Sequence, residues 1–159
     1  MTLPSFRLTK WQHFLALGFG SGLAKYAPGT VGTLVAVPIV ALLMWAGNYY
    51  LLSFIVLGTL LGVYVCAVAT KDIGQPDHAA IVWDEIIGFA ITMFLVPLTW
   101  QYLLLGFILF RLFDITKPWP IRWFDKTVHG GLGIMLDDVL AGMAACVSLH
   151  LIVNWISRI

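Results

Sequence analysis

The chain has 159 residues, of which 60% are hydrophobic and only 11% charged, and its mean hydropathy is +0.93. A soluble domain has about a quarter of its residues charged, so this composition excludes an ordinary soluble protein and a disordered chain and predicts an integral membrane protein. The formal net charge is only +1. No basic surface field is therefore available for a nucleic-acid partner.

A glycine-rich entry segment, GFGSGLAKYAPGTVGT at residues 18–33, precedes the first long apolar run. Backbone N–H groups at the start of a helix bind anions readily, so this segment can cradle a phosphate, with Lys25, Thr30 and Thr33 nearby. It lacks the Gly-Lys-Ser/Thr ending of a nucleotide-binding loop. Close packing between helices explains the glycines equally well.

Several apolar runs are long enough, or nearly long enough, to cross a bilayer, for which about 20 mainly apolar residues are needed. They lie at residues 30–46, 49–69, 79–98, 100–117 and 134–156. We therefore predict an all-α, multi-pass membrane helical bundle with about five spanning or partly spanning helices. A single membrane-embedded domain is expected to cover residues 1–159.

The apolar stretch at residues 86–110 admits either one long span or two short helices. With two helices, the charged segments at residues 71–85 and 111–138 share one side of the membrane. A cytoplasmic N-terminus then places eight of the nine basic residues inside, as the positive-inside rule requires. We therefore predict two helices and place the charged segments at the cytoplasmic boundary.

Acidic residues are confined to one part of the chain, since all eight lie between positions 72 and 138. Two adjacent pairs stand out, Asp84 with Glu85 and Asp137 with Asp138, and their convergence requires a counter-charge. Mg²⁺ prefers such oxygen ligands, so a metal site is predicted. Adjacent helical residues point about 100° apart, so one member of each pair is expected to reach the ion. The alternative is that these acids only solvate or cap helix ends.

Opposite charge comes from FRLFDITKPWPIRWFDKTVHGG at residues 110–131. In this segment Arg111, Asp114 and Lys117 share one helical face until a proline ends the helix. The segment's basic residues can clamp a phosphate, and His129 can also donate a proton to a leaving oxygen. Alternatively, cations such as Arg122 contact anionic lipid headgroups. The histidines at positions 13, 78 and 150 show no evident partner and are interpreted as structural.

Four blocks of sequence, in order, read FGSGLAKYAPGTVGTLVA (19–36), IVWDEIIGF (81–89), FRLFDITKPWPIRWFDK (110–126) and HGGLGIMLDDVLAG (129–142). Together they resemble the bacterial phosphatidylglycerophosphatase A family. The resemblance implies a Mg²⁺-dependent, multi-pass enzyme of the bacterial inner membrane. Its expected reaction removes the terminal phosphate of the phospholipid phosphatidylglycerophosphate to give phosphatidylglycerol, with the active site at the cytoplasmic boundary.

Combined with the residue patterns, the resemblance leads us to expect three overlapping groups of site residues. They are Asp84, Glu85, Asp114, Lys117 and His129 for catalysis; Lys25, Thr30, Thr33, Arg111 and Arg122 for substrate binding; and Asp84, Glu85, Asp137 and Asp138 for Mg²⁺. Asp114 is expected either to orient Lys117 or to form an aspartyl-phosphate, with direct attack by water preferred. A membrane cation transporter and a non-catalytic lipid-binding module are the alternative functions, and neither predicts phosphate release.

Overall fold

The computed structural model describes residues 6–75 and 78–158, and the regular secondary structure in these ranges is helical. A 3₁₀ segment, Gly18–Leu23, follows the first helix. The α-helices of the described ranges are α1 (Trp11–Ala16), α2 (Pro28–Ala46), α3 (Asn48–Ile73), α4 (Trp83–Thr92), α5 (Trp100–Thr116), α6 (Ile121–Thr127) and α7 (Gly130–Ile156).

Within the described ranges, three helices are long and apolar enough to cross a membrane. They are α2, α3 and α7, with 19, 26 and 27 residues and mean hydropathies of 2.0, 2.4 and 1.9. Leu42, Leu57 and Leu151 on these helices are more than half exposed. Exposed leucines of this kind suit a surface that faces lipid rather than water. The predicted all-α membrane bundle is confirmed.

The stretch at residues 79–119 forms two helices, as predicted, but the first is shorter than expected. α4 has ten residues and α5 has seventeen. Between them Leu95 adopts a φ of 60°, which ends helical geometry, and the Thr99 hydroxyl accepts the Tyr102 N–H to begin α5. A ten-residue helix is about 15 Å long. α4 therefore reaches only part of the way across a bilayer, and the expected count of about five spans is imprecise.

The last helix, α7, organises the bundle by packing against α3, α4, α5 and α6. It approaches α4 closely, since a Cβ on Gly142 would lie 2.5 Å from the carbonyl oxygen of Gly88. α3 also approaches α4 closely, because the Trp83 indole N–H donates to the Gly58 carbonyl over 2.9 Å. Small residues at these contacts let the backbones come together in the way membrane helices commonly pack.

The two ends of the bundle differ in character. At one end α2 and α4 begin and α5 ends, and charged side chains gather there. At the other end Trp45, Tyr49, Trp100 and Trp155 are exposed. Tryptophan and tyrosine settle at the boundary between membrane and water. The charged end and the aromatic end are therefore expected to lie at opposite membrane surfaces.

Candidate active site

A cavity of about 330 Å³ opens at the charged end of the bundle. It is lined by Ala27, Pro28, Gly29, His78, Ala79, Ile81, Asp84, Glu85, Arg111, Asp114, Lys117, Asp125, Ile134, Asp137 and Asp138. Six of the eight acidic residues and two basic residues thus share one cavity. The charged ends of α4, α5 and α7 thus converge at one end of the bundle, as predicted.

Three carboxylates form a compact group inside the cavity. Asp84 and Glu85 come from the first turn of α4, and Asp138 comes from the third turn of α7. One oxygen from each lies within 4.8 Å of the others. Asp84 Oδ1, Glu85 Oε2 and Asp138 Oδ2 are buried and have no hydrogen-bond partner among the described residues. Buried carboxylate oxygens without donors are costly, and a hard cation satisfies them, so these residues fit Mg²⁺.

The carboxylate group contains one acid of the α7 pair but both acids of the α4 pair, whereas one acid of each pair was expected near the ion. Asp138 joins the carboxylate group, whereas Asp137 points to Lys117. Both Asp84 and Glu85 belong to the group. Helix capping explains neither Asp137 nor Asp138, because α7 begins at Gly130 and places them beyond its first turn.

Burial and mutual repulsion both disfavour the ionised forms of the two α4 acids, because each has a buried oxygen without a partner among the described residues and both lie beside Asp138. Desolvation and like charge both penalise an ionised carboxylate. A cation between these groups would relieve both penalties.

Arg111 faces the carboxylate group from the last turns of α5. Its Nη1 lies 2.6 Å from Asp114 Oδ2 and 3.7 Å from Glu85 Oε1. The Arg111 Nε and Nη1 atoms are nevertheless buried without a hydrogen-bond partner in the described chain. The contact with Asp114 is therefore an ion pair whose geometry does not satisfy a hydrogen bond. The guanidinium therefore keeps donors for an anion. The expected pairing of Asp114 with Lys117 is wrong, since Asp114 pairs with Arg111 one turn earlier.

Lys117 lies between two other acids. Its Nζ is 2.5 Å from Asp125 Oδ1 and 2.5 Å from Asp137 Oδ2. Burial opposes the charged lysine, but hydrogen bonds to Asp125 and Asp137 outweigh it and raise the pKa of Lys117 above its usual range. Asp125 was not among the residues predicted for the site. Its contact with Lys117 crosses a helix break, so no helical spacing signals it.

The part of the glycine-rich entry segment that lines the cavity is the start of α2. The predicted side chains of Lys25, Thr30 and Thr33 do not line it. Pro28 and Gly29 are the first two residues of α2 and line the cavity. The first N–H groups of a helix have no partner within it and attract anions. Lys25 is exposed, with its Nζ 5.4 Å from the Tyr26 ring. The Thr33 hydroxyl is buried and donates to the Gly29 carbonyl over 2.9 Å.

Three further residues predicted to bind or act on substrate lie outside the cavity lining. Thr30 is half-buried on α2, and Arg122 on α6 and His129 before α7 are exposed. α5 ends at Thr116, and a proline-containing turn separates it from α6. Residues after this turn therefore do not continue the helical face of Arg111 and Asp114. The structure therefore brings together Arg111 and the acids, but not Lys25, Thr30, Thr33, Arg122 or His129.

The three histidines that were interpreted as having no partner do have one. His13 is buried, with Nε2 2.8 Å from Asp72 Oδ2 and Nδ1 accepting the Arg7 N–H over 3.0 Å. His78 Nδ1 accepts the Ala80 N–H, and His78 lines the cavity. His150 Nδ1 lies 2.9 Å from the Cys146 carbonyl oxygen within α7. The contact of His13 with Asp72 joins parts of the chain that are distant in sequence, so no local pattern reveals it.

The family model for phosphatidylglycerophosphatase A matches residues 14–153, nearly the whole chain. The chain belongs to the phosphatidylglycerophosphatase A family. This confirms the resemblance inferred from the four sequence blocks. Phosphatidylglycerophosphatase A is a phosphoric monoester hydrolase, so the protein is an enzyme of phospholipid metabolism. The match includes every helix that contributes a charged side chain to the cavity.

Relatives named phosphatidylglycerophosphatase A come from two bacteria. The protein of Escherichia coli (strain K12) is 48% identical over 141 residues, which cover 88% of this chain and 82% of the relative. The protein of Haemophilus influenzae is 48% identical over 145 residues, which cover 90% of this chain and 89% of the relative. No solved structure matches the chain significantly.

Proposed function

We propose that the protein is a Mg²⁺-dependent lipid phosphatase that hydrolyses the terminal phosphomonoester of phosphatidylglycerophosphate to phosphatidylglycerol and phosphate. Membership of the phosphatidylglycerophosphatase A family supports the substrate. The observation that carries the metal dependence is the group of buried, unpaired carboxylate oxygens facing Arg111. A phosphomonoester needs cationic groups and hydrogen-bond donors in this arrangement.

Asp84, Glu85 and Asp138 would hold the ion, because their buried oxygens need a cation. Bound Mg²⁺ neutralises the carboxylates and polarises the phosphate of the substrate. Asp137 is assigned a different role, since Lys117 already holds its Oδ2.

The anionic substrate is bound by cationic side chains and backbone N–H groups that line the same cavity. Arg111 keeps unpaired guanidinium donors, which suit the oxygens of a phosphate in a forked geometry. Lys117 adds a second positive charge, and the start of α2 adds backbone N–H groups. Asp114 positions Arg111 through their ion pair. This role favours direct attack by water over an aspartyl-phosphate on Asp114.

We assign proton removal from the attacking water to Asp137. Its Oδ1 is buried without a partner among the described residues, while Lys117 fixes its Oδ2. As the water oxygen bonds to phosphorus, its proton moves to Asp137 Oδ1, and the bond from phosphorus to the glycerol oxygen breaks. The glycerol oxygen takes up a proton from solvent water and leaves as the hydroxyl of phosphatidylglycerol, and Asp137 then returns its proton to solvent. A positioned base of this kind contributes about 10²- to 10⁴-fold to a rate.

The location proposed is the bacterial inner membrane, with the cavity at the cytoplasmic boundary. The bacterial relatives and the three apolar helices support a membrane enzyme of lipid synthesis. The positive-inside rule supports the cytoplasmic side, because Arg111 and Lys117 line the cavity and a cytoplasmic N-terminus places eight of the nine basic residues on that side. A lipid headgroup would reach the carboxylates at that depth.

The test is release of inorganic phosphate from phosphatidylglycerophosphate by the purified protein in detergent, with Mg²⁺ and with a chelator. Phosphatidic acid, another lipid phosphomonoester, serves as the comparison substrate. We expect release that requires Mg²⁺ and prefers phosphatidylglycerophosphate. Release that is unaffected by the chelator would refute the metal dependence. Absence of release by folded protein would refute the hydrolase.

A further inference from the structure

The loop before α4 contributes an imidazole to the cavity. His78 lines the same space as Asp84, Arg111 and Lys117. The histidine predicted to act in the site, His129, is exposed and lies outside the cavity lining. Among the described residues that line the cavity, His78 is the one histidine.

A backbone hydrogen bond fixes which nitrogen of His78 carries the proton. The Ala80 N–H donates to His78 Nδ1 over 3.1 Å. An amide N–H can only donate, so Nδ1 must use its lone pair and the ring proton lies on Nε2. Nε2 is then a hydrogen-bond donor and is not available as a metal ligand. The same tautomer has no second ring proton, so His78 is not suited to act as a general acid.

Aromatic packing holds the His78 ring in place. Phe6 meets it edge to face, with ring centroids 5.0 Å apart and an angle of 84°. Phe6 also packs edge to face on His13, at 5.8 Å and 80°. His13 in turn is bonded to Asp72 at the end of α3. The imidazole is therefore anchored through its neighbours to α1 and α3.

We propose that His78 binds the phosphate of the substrate by donating its Nε2–H to a phosphate oxygen. This inference rests on the proposed phosphatase function. Arg111 and Lys117 are paired with carboxylates in this structure. The uncharged Nε2–H of His78 in the same cavity adds a hydrogen bond to phosphate, and it does not form a further ion pair with the acidic residues. His78 is thus a substrate-binding residue.

Two substitutions separate this role from a structural role of the loop. In His78→Asn the amide oxygen can still accept the Ala80 N–H, but no group reaches the position of Nε2. In His78→Gln the amide nitrogen reaches that position, but the loop hydrogen bond is lost. A hydrogen bond to a charged group is typically worth tenfold to a hundredfold in binding. We expect kcat/KM to fall by about that factor in H78N and by about threefold in H78Q.

Two readouts keep this proposal distinct from the proposed function. Turnover of phosphatidylglycerophosphate by the unaltered protein tests the function alone. Thermal stabilisation by inorganic phosphate in the presence of Mg²⁺ tests the His78 contact without turnover. We expect phosphate to raise the melting temperature of the unaltered protein and of H78Q, and to raise that of H78N less. If H78N equals the unaltered protein, or if H78Q is as impaired as H78N, the proposal is overturned.

A third variant covers the case in which H78N does not fold. His78→Ala leaves space for an added imidazole molecule, which can supply the missing donor. Imidazole is expected to stimulate H78A several-fold and to leave the unaltered protein unchanged. Absence of this stimulation, with H78A folded, would overturn the proposal.

Discussion

Gly29 at the start of α2 packs directly on the Glu85 carboxylate at the start of α4. A Cβ on Gly29 would overlap Glu85 Oε1 and would lie 3.2 Å from Arg111 Nη1. The backbone of Gly29 is ordinary helix, so contact with the site, and not an unusual φ, requires glycine here. The first turn of α2 therefore packs directly against Glu85, one of the candidate metal ligands.

Gly29→Ala should therefore damage the site more than the fold. Displacing a well-packed group costs about 1–3 kcal/mol. We expect the Mg²⁺ concentration for half-maximal phosphate release to rise about tenfold. Gly106→Ala is the matched control, because its Cβ would meet the flexible end of Met93 away from the cavity. An unchanged Mg²⁺ midpoint in G29A would show that Glu85 does not hold the ion.

Asp137→Asn separates the assigned base from the metal ligands. Loss of a general base should lower kcat by about 10²- to 10⁴-fold. The Mg²⁺ midpoint should stay close to that of the unaltered protein, because Asp137 is paired with Lys117. Titrating Mg²⁺ at saturating substrate measures both quantities. A large rise in the midpoint with little change in kcat would instead make Asp137 a metal ligand.

Mg²⁺ binding should weaken when Glu85 loses its charge. The metal binds the ionised carboxylate, and Glu85 Oε2 is buried without a partner among the described residues. We expect Glu85→Gln to lower the Mg²⁺ affinity by about tenfold or more, because one charged ligand is lost. Calorimetric titration of Mg²⁺ into the variant and the unaltered protein measures this. Equal affinities would contradict the assignment of Glu85.

The helical arrangement predicts which positions share a membrane surface. Asn48 begins α3 and Gln101 lies in the first turn of α5, both at the aromatic end, whereas Lys126 lies on α6 beside the cavity. With Cys66 and Cys146 replaced by alanine, single cysteines at these three positions can be labelled in intact cells and in lysed cells. We expect N48C and Q101C to react from outside and K126C from inside. Labelling of Q101C and K126C from the same side would refute the hairpin of α4 and α5.

Composition and hydropathy were enough to predict the helical bundle, and charge placement was enough to predict the convergence of α4, α5 and α7. The bundle could be predicted because a membrane-spanning helix needs about 20 apolar residues. The convergence could be predicted because acidic residues within a membrane need charged partners. The length of α4 was overestimated. Apolar residues at 93–99 extend the hydropathy signal beyond the helix. α4 ends at Thr92, and Leu95, with a φ of 60°, is not helical.

Side-chain pairings were the least predictable part of the site. Helical spacing suggested Asp114 with Lys117, but Lys117 ends α5 at a φ of 40° and pairs with Asp125 and Asp137. The position of His78 depends on its packing against Phe6, which is distant in sequence. Such contacts follow from how helices dock and leave no periodic signal in the chain.

The carboxylates of the cavity are proposed to hold the Mg²⁺ required for lipid phosphate hydrolysis. The decisive measurement is phosphate release from phosphatidylglycerophosphate across Mg²⁺ concentrations by two variants, Asp84→Asn and Asp138→Asn. Ser148→Ala is the control on α7, since its hydroxyl bonds only within its own helix, to Ala144. We predict that folded D84N and D138N lose release or require far more Mg²⁺, while S148A is unchanged. Full activity of both variants at ordinary Mg²⁺ would contradict the account.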